Sequence, residues 1–110
     1  MVLISDDYNI INEREVYDFL EENNFLTPIL LNAAKEIRNI FVSYNKLILK
    51  MSSYPEYEVN RKLFVKIHTN LEPDKAVEKL QEFDQKWLLK HIKAIKGKLN
   101  FDVKIVEDRK

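Results

Sequence analysis

Apolar positions in this 110-residue chain recur first at about 3.6 residues, then at 2, and return once to the longer period before the end. Val16, Phe19 and Leu20 mark the apolar side of a first helix. Asn12 followed by Glu15 matches a capping box, and Ile11 with Val16 matches a hydrophobic staple, so this helix is predicted to start at Glu13. Asn23 and Asn24, which tolerate left-handed backbone, are its stop signals. A second helix is predicted with Thr27 as N-cap, Pro28 as first helical residue and a Leu26/Leu31 staple. Its stripe is Ile29, Ala33, Ile37, Ile40, Phe41 and Tyr44.

The period then drops to 2. Leu47, Leu49 and Met51 alternate with Ile48, Lys50 and Ser52, predicting a half-buried strand over 47–53, followed by a turn at Ser53-Tyr54-Pro55-Glu56 and an extended or looped stretch to Asn60. A second strand over 62–69 sets Leu63, Val65 and Ile67 against Phe64, Lys66 and His68. Pro73, between Glu72 and Asp74, opens a long helix with Val77, Leu80, Asp84, Trp87, Leu88, His91 and Ile95 towards one side, and Gly97 closes it. Leu99, Phe101, Val103 and Ile105 alternate with Asn100, Asp102 and Lys104 in a terminal strand, and a short strand at 2–5 is a further candidate. The expected fold is therefore α+β: two layers in the order α-α-β-β-α-β, a three- or four-stranded mixed sheet packed on helices. The first two strands pair antiparallel, and the strand-helix-strand unit over 63–106 suits a right-handed parallel crossover. The length suits one domain over 1–110.

Composition narrows the chemistry. The chain has one glycine and no cysteine. A Walker loop, a dinucleotide-binding turn and a nucleophile elbow each need more glycines, and disulfides, thiol catalysis and cysteine-ligated metals need cysteine. No cofactor is expected. His68 and His91 are the two histidines, and a joint metal or acid–base site with Asp84 would require His68 to be brought to the long helix. The spacing instead expects His91 at the edge of the core and His68 at the surface. Glu78 with Glu82, and Glu72 with Asp74, are spaced like solvated helix charges, and Ser52 and Ser53 have no base nearby in sequence. No catalytic or metal residue is assigned. No apolar segment is long enough for a signal peptide or membrane span, so a cytoplasmic location is expected.

Charge is segregated although the total is zero. Residues 1–34 carry seven acids and one base, net −6, and the rest carries +6. Lys86, Lys90, Lys93, Lys96 and Lys98 follow one another without an intervening acid. Such a stripe is either a solvated helix face or the footprint of an acidic partner or nucleic acid. The outer sheet face would present Lys50, Phe64, Lys66, His68 and Lys104, with Ile48 among them, either open or covered by an N-terminal helix or a partner subunit. Lys62-Leu63-Phe64-Val65-Lys66-Ile67 echoes part of the RNA-recognition-motif octapeptide but lacks its glycine and second exposed aromatic. The candidate interaction surface is thus Lys50, Phe64, Lys66, His68 and Lys104 on the sheet, with Lys86, Lys90 and Lys93 on the helix.

One stretch carries a resemblance. Lys62-Leu63-Phe64-Val65-Lys66-Ile67-His68-Thr69-Asn70-Leu71, followed by Ala76, Leu80, Phe83-Asp84 and Trp87-Leu88-Leu89, resembles a group of small prokaryotic α+β proteins in which a strand ending His-Thr precedes a helix with F-D-x-x-W. It covers residues 62–106 and implies a gene encoded in toxin–antitoxin-like pairs, with no activity attached. The expectation is a non-enzymatic protein-interaction module, antitoxin-like or accessory to a neighbouring gene product, that binds a protein partner or itself, a homodimer included. The alternative is a small nucleic-acid-binding protein using the outer sheet face or the lysine stripe, against which the sequence pI near 6.7 weighs.

Overall fold

A computed structural model describes residues 4–41, 46–51 and 62–106. In chain order these form a helical turn α1 (Ile4–Asp7), a short strand β1 (Asn9–Ile10), helices α2 (Glu13–Glu22) and α3 (Leu26–Ile40), and strands β2 (Lys46–Met51) and β3 (Leu63–Thr69). Helix α4 (Pro73–Phe83) then runs through a π-helical turn (Asp84–Leu88) into α5 (Leu89–Ile95), and β4 (Leu99–Ile105) ends the series. The α+β class expected from the periodicity is what forms, with a four-stranded mixed sheet ordered β1-β2-β3-β4. β2 and β3 are antiparallel, while β1 with β2 and β3 with β4 are parallel. Each parallel pair is joined by helices, as parallel neighbours require a crossover.

The N-terminal strand lies later than the pattern suggested. Ile4 and Ser5 belong to α1, and the strand is Asn9–Ile10, with Ile10 beside Leu49. Two contacts fasten this segment to α3: the buried Tyr8 hydroxyl donates to the Leu30 carbonyl at 2.8 Å, and Arg38 Nη1 meets Asp7 Oδ1 at 2.8 Å. Helix α2 starts at Glu13 as predicted, but not through the capping side chain. Asn12 has φ 54 and makes no side-chain cap bond, and Ile11 is exposed while Val16 is fully buried. At its other end Asn23 has φ −130, and its Nδ2 donates to the Phe19 carbonyl at 2.9 Å, so side-chain bonding rather than left-handed backbone does the capping. α3 begins earlier than Thr27, because Leu26 and Thr27 N–H groups already bond the Asn23 and Asn24 carbonyls at 3.0 and 3.2 Å. Pro28 is still within the first turn, where a missing N–H costs nothing.

A single cluster of buried side chains joins one sheet face to the helices. Leu47, Leu49, Met51, Leu63, Val65, Ile67, Leu99 and Phe101 meet Val16, Phe19 and Leu20 of α2, Leu26, Leu30, Ala33, Ala34 and Ile37 of α3, and Phe83, Trp87 and Ile95 beyond. Leu26, Leu30 and Ala34 extend the α3 stripe beyond its predicted members; Tyr44, Ser52, Ser53 and the Tyr54-Pro55 turn lie outside the described residues. The last helix departs from its predicted face: Ala76 and Phe83 are buried, whereas Val77 is exposed. The π turn explains the shift. From Phe83 to Ile95 an uninterrupted α-helix at about 100° per residue would overshoot three turns by about 120°. One residue taken up by the wider turn leaves about 20°, which returns Ile95 to the core. Phe83 and Trp87 stack at 5.2 Å between centroids and His91 stacks on Trp87 at 4.2 Å, while Phe101 of β4 closes on both Phe83 and Trp87.

Candidate binding surfaces on the sheet and on the last helix

Strand register decides which polar residues share the outer sheet face. Three rows cross it: Lys46 beside His68 beside Lys104; Asn9, Ile48, Lys66 and Asp102; and Lys50, Phe64 and Asn100. Neighbouring strands are about 4.8 Å apart, so each row places its side chains within reach of one another. Lys66 Nζ bonds Asp102 Oδ2 at 3.2 Å and sits 5.9 Å from the centre of the Phe64 ring. Ile48 is only 9% exposed, yet its row neighbours are Asn9 and Lys66. Ile48 is not part of the cluster on the opposite face, where α2 and α3 bury their apolar sides. Among the described residues, the N-terminal helices therefore do not cover this surface, and Phe64, Lys66 and His68 are each partly exposed.

His68 reports the field of that face. Partial burial lowers its pKa first, and Lys46, Lys104, Lys66 and Lys50 lower it further. Sequence reasoning brought four of these five together and missed Lys46, which pairs with His68 at the first position of β2, one residue before the predicted strand start.

The helix lysines lie on the other layer, so the predicted surface divides in two. Lys86, Lys90 and Lys93 are all exposed. Lys86 Nζ holds Glu82 Oε2 at 2.8 Å, a bond that raises the lysine pKa and lowers that of the carboxyl. Lys75–Glu78 at 3.9 Å and Lys79–Glu82 at 3.8 Å are further exposed pairs of the same helix, as the spacing anticipated. Between the lysines stand two apolar side chains outside the surface expected from sequence: Leu89, 65% exposed, and Ile92, 48% exposed, one turn apart on α5. The signal was present, since neither belongs to the spacing of the buried side.

The groups that could carry chemistry are dispersed. His91 is partly buried, its Nδ1 2.8 Å from the Trp87 carbonyl. A carbonyl only accepts, so Nδ1 carries the hydrogen. His68 lies on the outer sheet face and His91 on the helix layer. Asp84, in the π turn, makes no bond to an adjacent strand or loop among the described residues, and burial pushes its carboxyl pKa up. Trp87 Nε1 instead donates to Asn32 Oδ1 at 2.6 Å, tying the π turn to α3. No group of three potential metal ligands occurs among the described residues. A cleft of about 220 Å³ beside the β1 edge gathers Ser5, Asp6, Asp7 and Lys46, with Arg38 holding Asp7. No helix of the described residues is long and apolar enough to cross a membrane. Comparison with protein-family models, curated proteins and solved structures yields no match.

Proposed function

We propose that this protein is a non-enzymatic protein-interaction module and that α5 holds an acidic partner protein. The observation that carries this reading is the exposed Leu89 and Ile92 pair bordered by Lys86, Lys90 and Lys93. Protein interfaces combine an apolar centre with a polar rim, and a basic rim selects an acidic counterpart and speeds its approach. The resemblance over residues 62–106 points to the product of an adjacent short gene as partner, in an antitoxin-like pairing. Co-expression with that product tests the reading. Co-purification in a defined ratio is expected, with Leu89→Asp and Ile92→Asp together abolishing it and Lys90→Glu with Lys93→Glu weakening it at least tenfold. No complex, or one unchanged by these substitutions, defeats the proposal.

A second reading has its own observation. The row Lys46, His68 and Lys104, with Phe64 below it, supplies cations and one aromatic on a sheet face, the combination by which such faces hold single-stranded nucleic acid. Binding of an RNA or DNA oligonucleotide that weakens with salt, and is lost in Lys46→Glu with Lys104→Glu, is the expected result. Absence of a shift at low salt disposes of this reading.

A further inference from the structure

The geometry of β4 points to a self-association site: two copies of the chain join their sheets edge to edge through β4, antiparallel about a two-fold axis at Val103. Among the described residues, β4 is the last strand in the sheet order. The Lys98 carbonyl accepts from Leu63 N–H at 2.8 Å and Val106 N–H donates to the Thr69 carbonyl at 2.7 Å, so even-numbered residues turn their backbone groups towards β3. Backbone direction alternates along a strand, and Leu99, Phe101, Val103 and Ile105 therefore turn theirs outward. One outward donor is already occupied, by the side chain of the residue before it: Val103 N–H donates to Asp102 Oδ1 at 2.8 Å.

The register follows from side chains. A two-fold axis makes identical strands antiparallel, and bonding through the outward residues requires odd positions to face odd positions. Centring on Asp102 sets Asp102 against its own copy, a like-charge pair that opposes association. Centring on Phe101 leaves Ile105 beyond the paired residues. Centring on Val103 sets Asp102 opposite the partner's Lys104 twice, on the outer face, and Phe101 opposite the partner's Ile105 twice, on the inner face. That last register covers Ile105, which is 37% exposed, and the partly exposed Val103. It forms about six main-chain hydrogen bonds between Phe101 and Ile105 of the two copies. Asp102 then exchanges Val103 N–H for the partner's lysine, and the basic outer face continues across the axis.

Sedimentation equilibrium of the full chain over a range of concentrations tests this. The expected mass is that of two chains. Val103→Pro removes the donor on the axis without removing a bond to β3 and is expected to give the mass of one chain with unchanged circular dichroism. Lys104→Glu, at an exposed position, sets two acids against each other and is likewise expected to give one chain, and adding Asp102→Lys restores two. A wild-type mass of one chain throughout, a dimer that survives both single substitutions, or no restoration by the charge exchange overturns the proposal. Leu89→Asp is expected to keep the mass of two chains, which separates this test from that of the α5 surface.

Discussion

Asp84 stands where three demands meet. It is the first residue of the π turn, its main-chain carbonyl accepts from Leu89 N–H, and its side chain is partly buried beside a helix whose next apolar residue is Trp87. Desolvation without a compensating cation favours the protonated carboxyl, so folding raises its pKa. The unfolded chain therefore releases this proton at lower pH than the folded one. The group costs no stability below the unfolded carboxylate value, and the penalty is complete once pH has risen through the folded value. Asp84→Asn is accordingly expected to raise the urea midpoint at neutral pH, and the gain should shrink to nothing as both forms are acidified through the carboxylate range. A midpoint lowered at neutral pH would show instead that the charge is used.

At the level of elements, the π turn is the feature on which the last helix depends. If it takes up one residue of excess, removing the exposed Gln85 should convert Asp84–Leu88 to ordinary α-helix while leaving Phe83 and Ile95 on the same side. That deletion is expected to fold with near-native stability. Inserting one alanine at the same point swings Ile95, 1% exposed, by about 100° out of the core. A loss of about 2–5 kcal/mol is expected, the cost of emptying a buried aliphatic site, measured by urea unfolding of both variants. The same turn marks where sequence reading stopped being sufficient. Strands β2, β3 and β4 were legible because alternation of large aliphatic with charged residues has one interpretation and fixes the face of each residue; the register that sets Leu49 beside Val65 is supplied by the structure. The face of helix α4 was not legible, since a fixed 3.6-residue period carried back from Ile95 cannot anticipate the widened turn between α4 and α5 and so assigned Val77 to the wrong side. The outer-face candidates were legible by parity alone. Their separation from Lys86, Lys90 and Lys93 was not, because it depends on all the helices lying on one side of the sheet.

For the molecule as a whole, the segregated charge becomes a difference between surfaces, and His68 is placed to measure it. Acids of α1 and α2 lie at one end of the chain, whereas the outer sheet face carries Lys46, Lys50, Lys66 and Lys104 around one imidazole. Burial is the largest cause of the lowered His68 pKa and the lysines supply the rest, so its titration by NMR should have a midpoint below the ordinary histidine value of about 6.5. Because the unfolded chain takes up that proton more readily, the stability associated with neutral His68 is present above the unfolded pKa and is lost as pH falls through the folded one. Salt screens exposed charges over about 8–10 Å. Added salt, or Lys104→Ala, should therefore raise the midpoint part of the way, leaving the portion due to burial. An anion docked on the sheet face should raise it further, by stabilising the imidazolium directly. A partner held by Leu89 and Ile92 on the helix layer should leave it unchanged while broadening signals from α5. One histidine resonance thus distinguishes occupation of the sheet from occupation of the helix, and a midpoint at or above the ordinary value in the free protein would refute the basic character assigned to the sheet face.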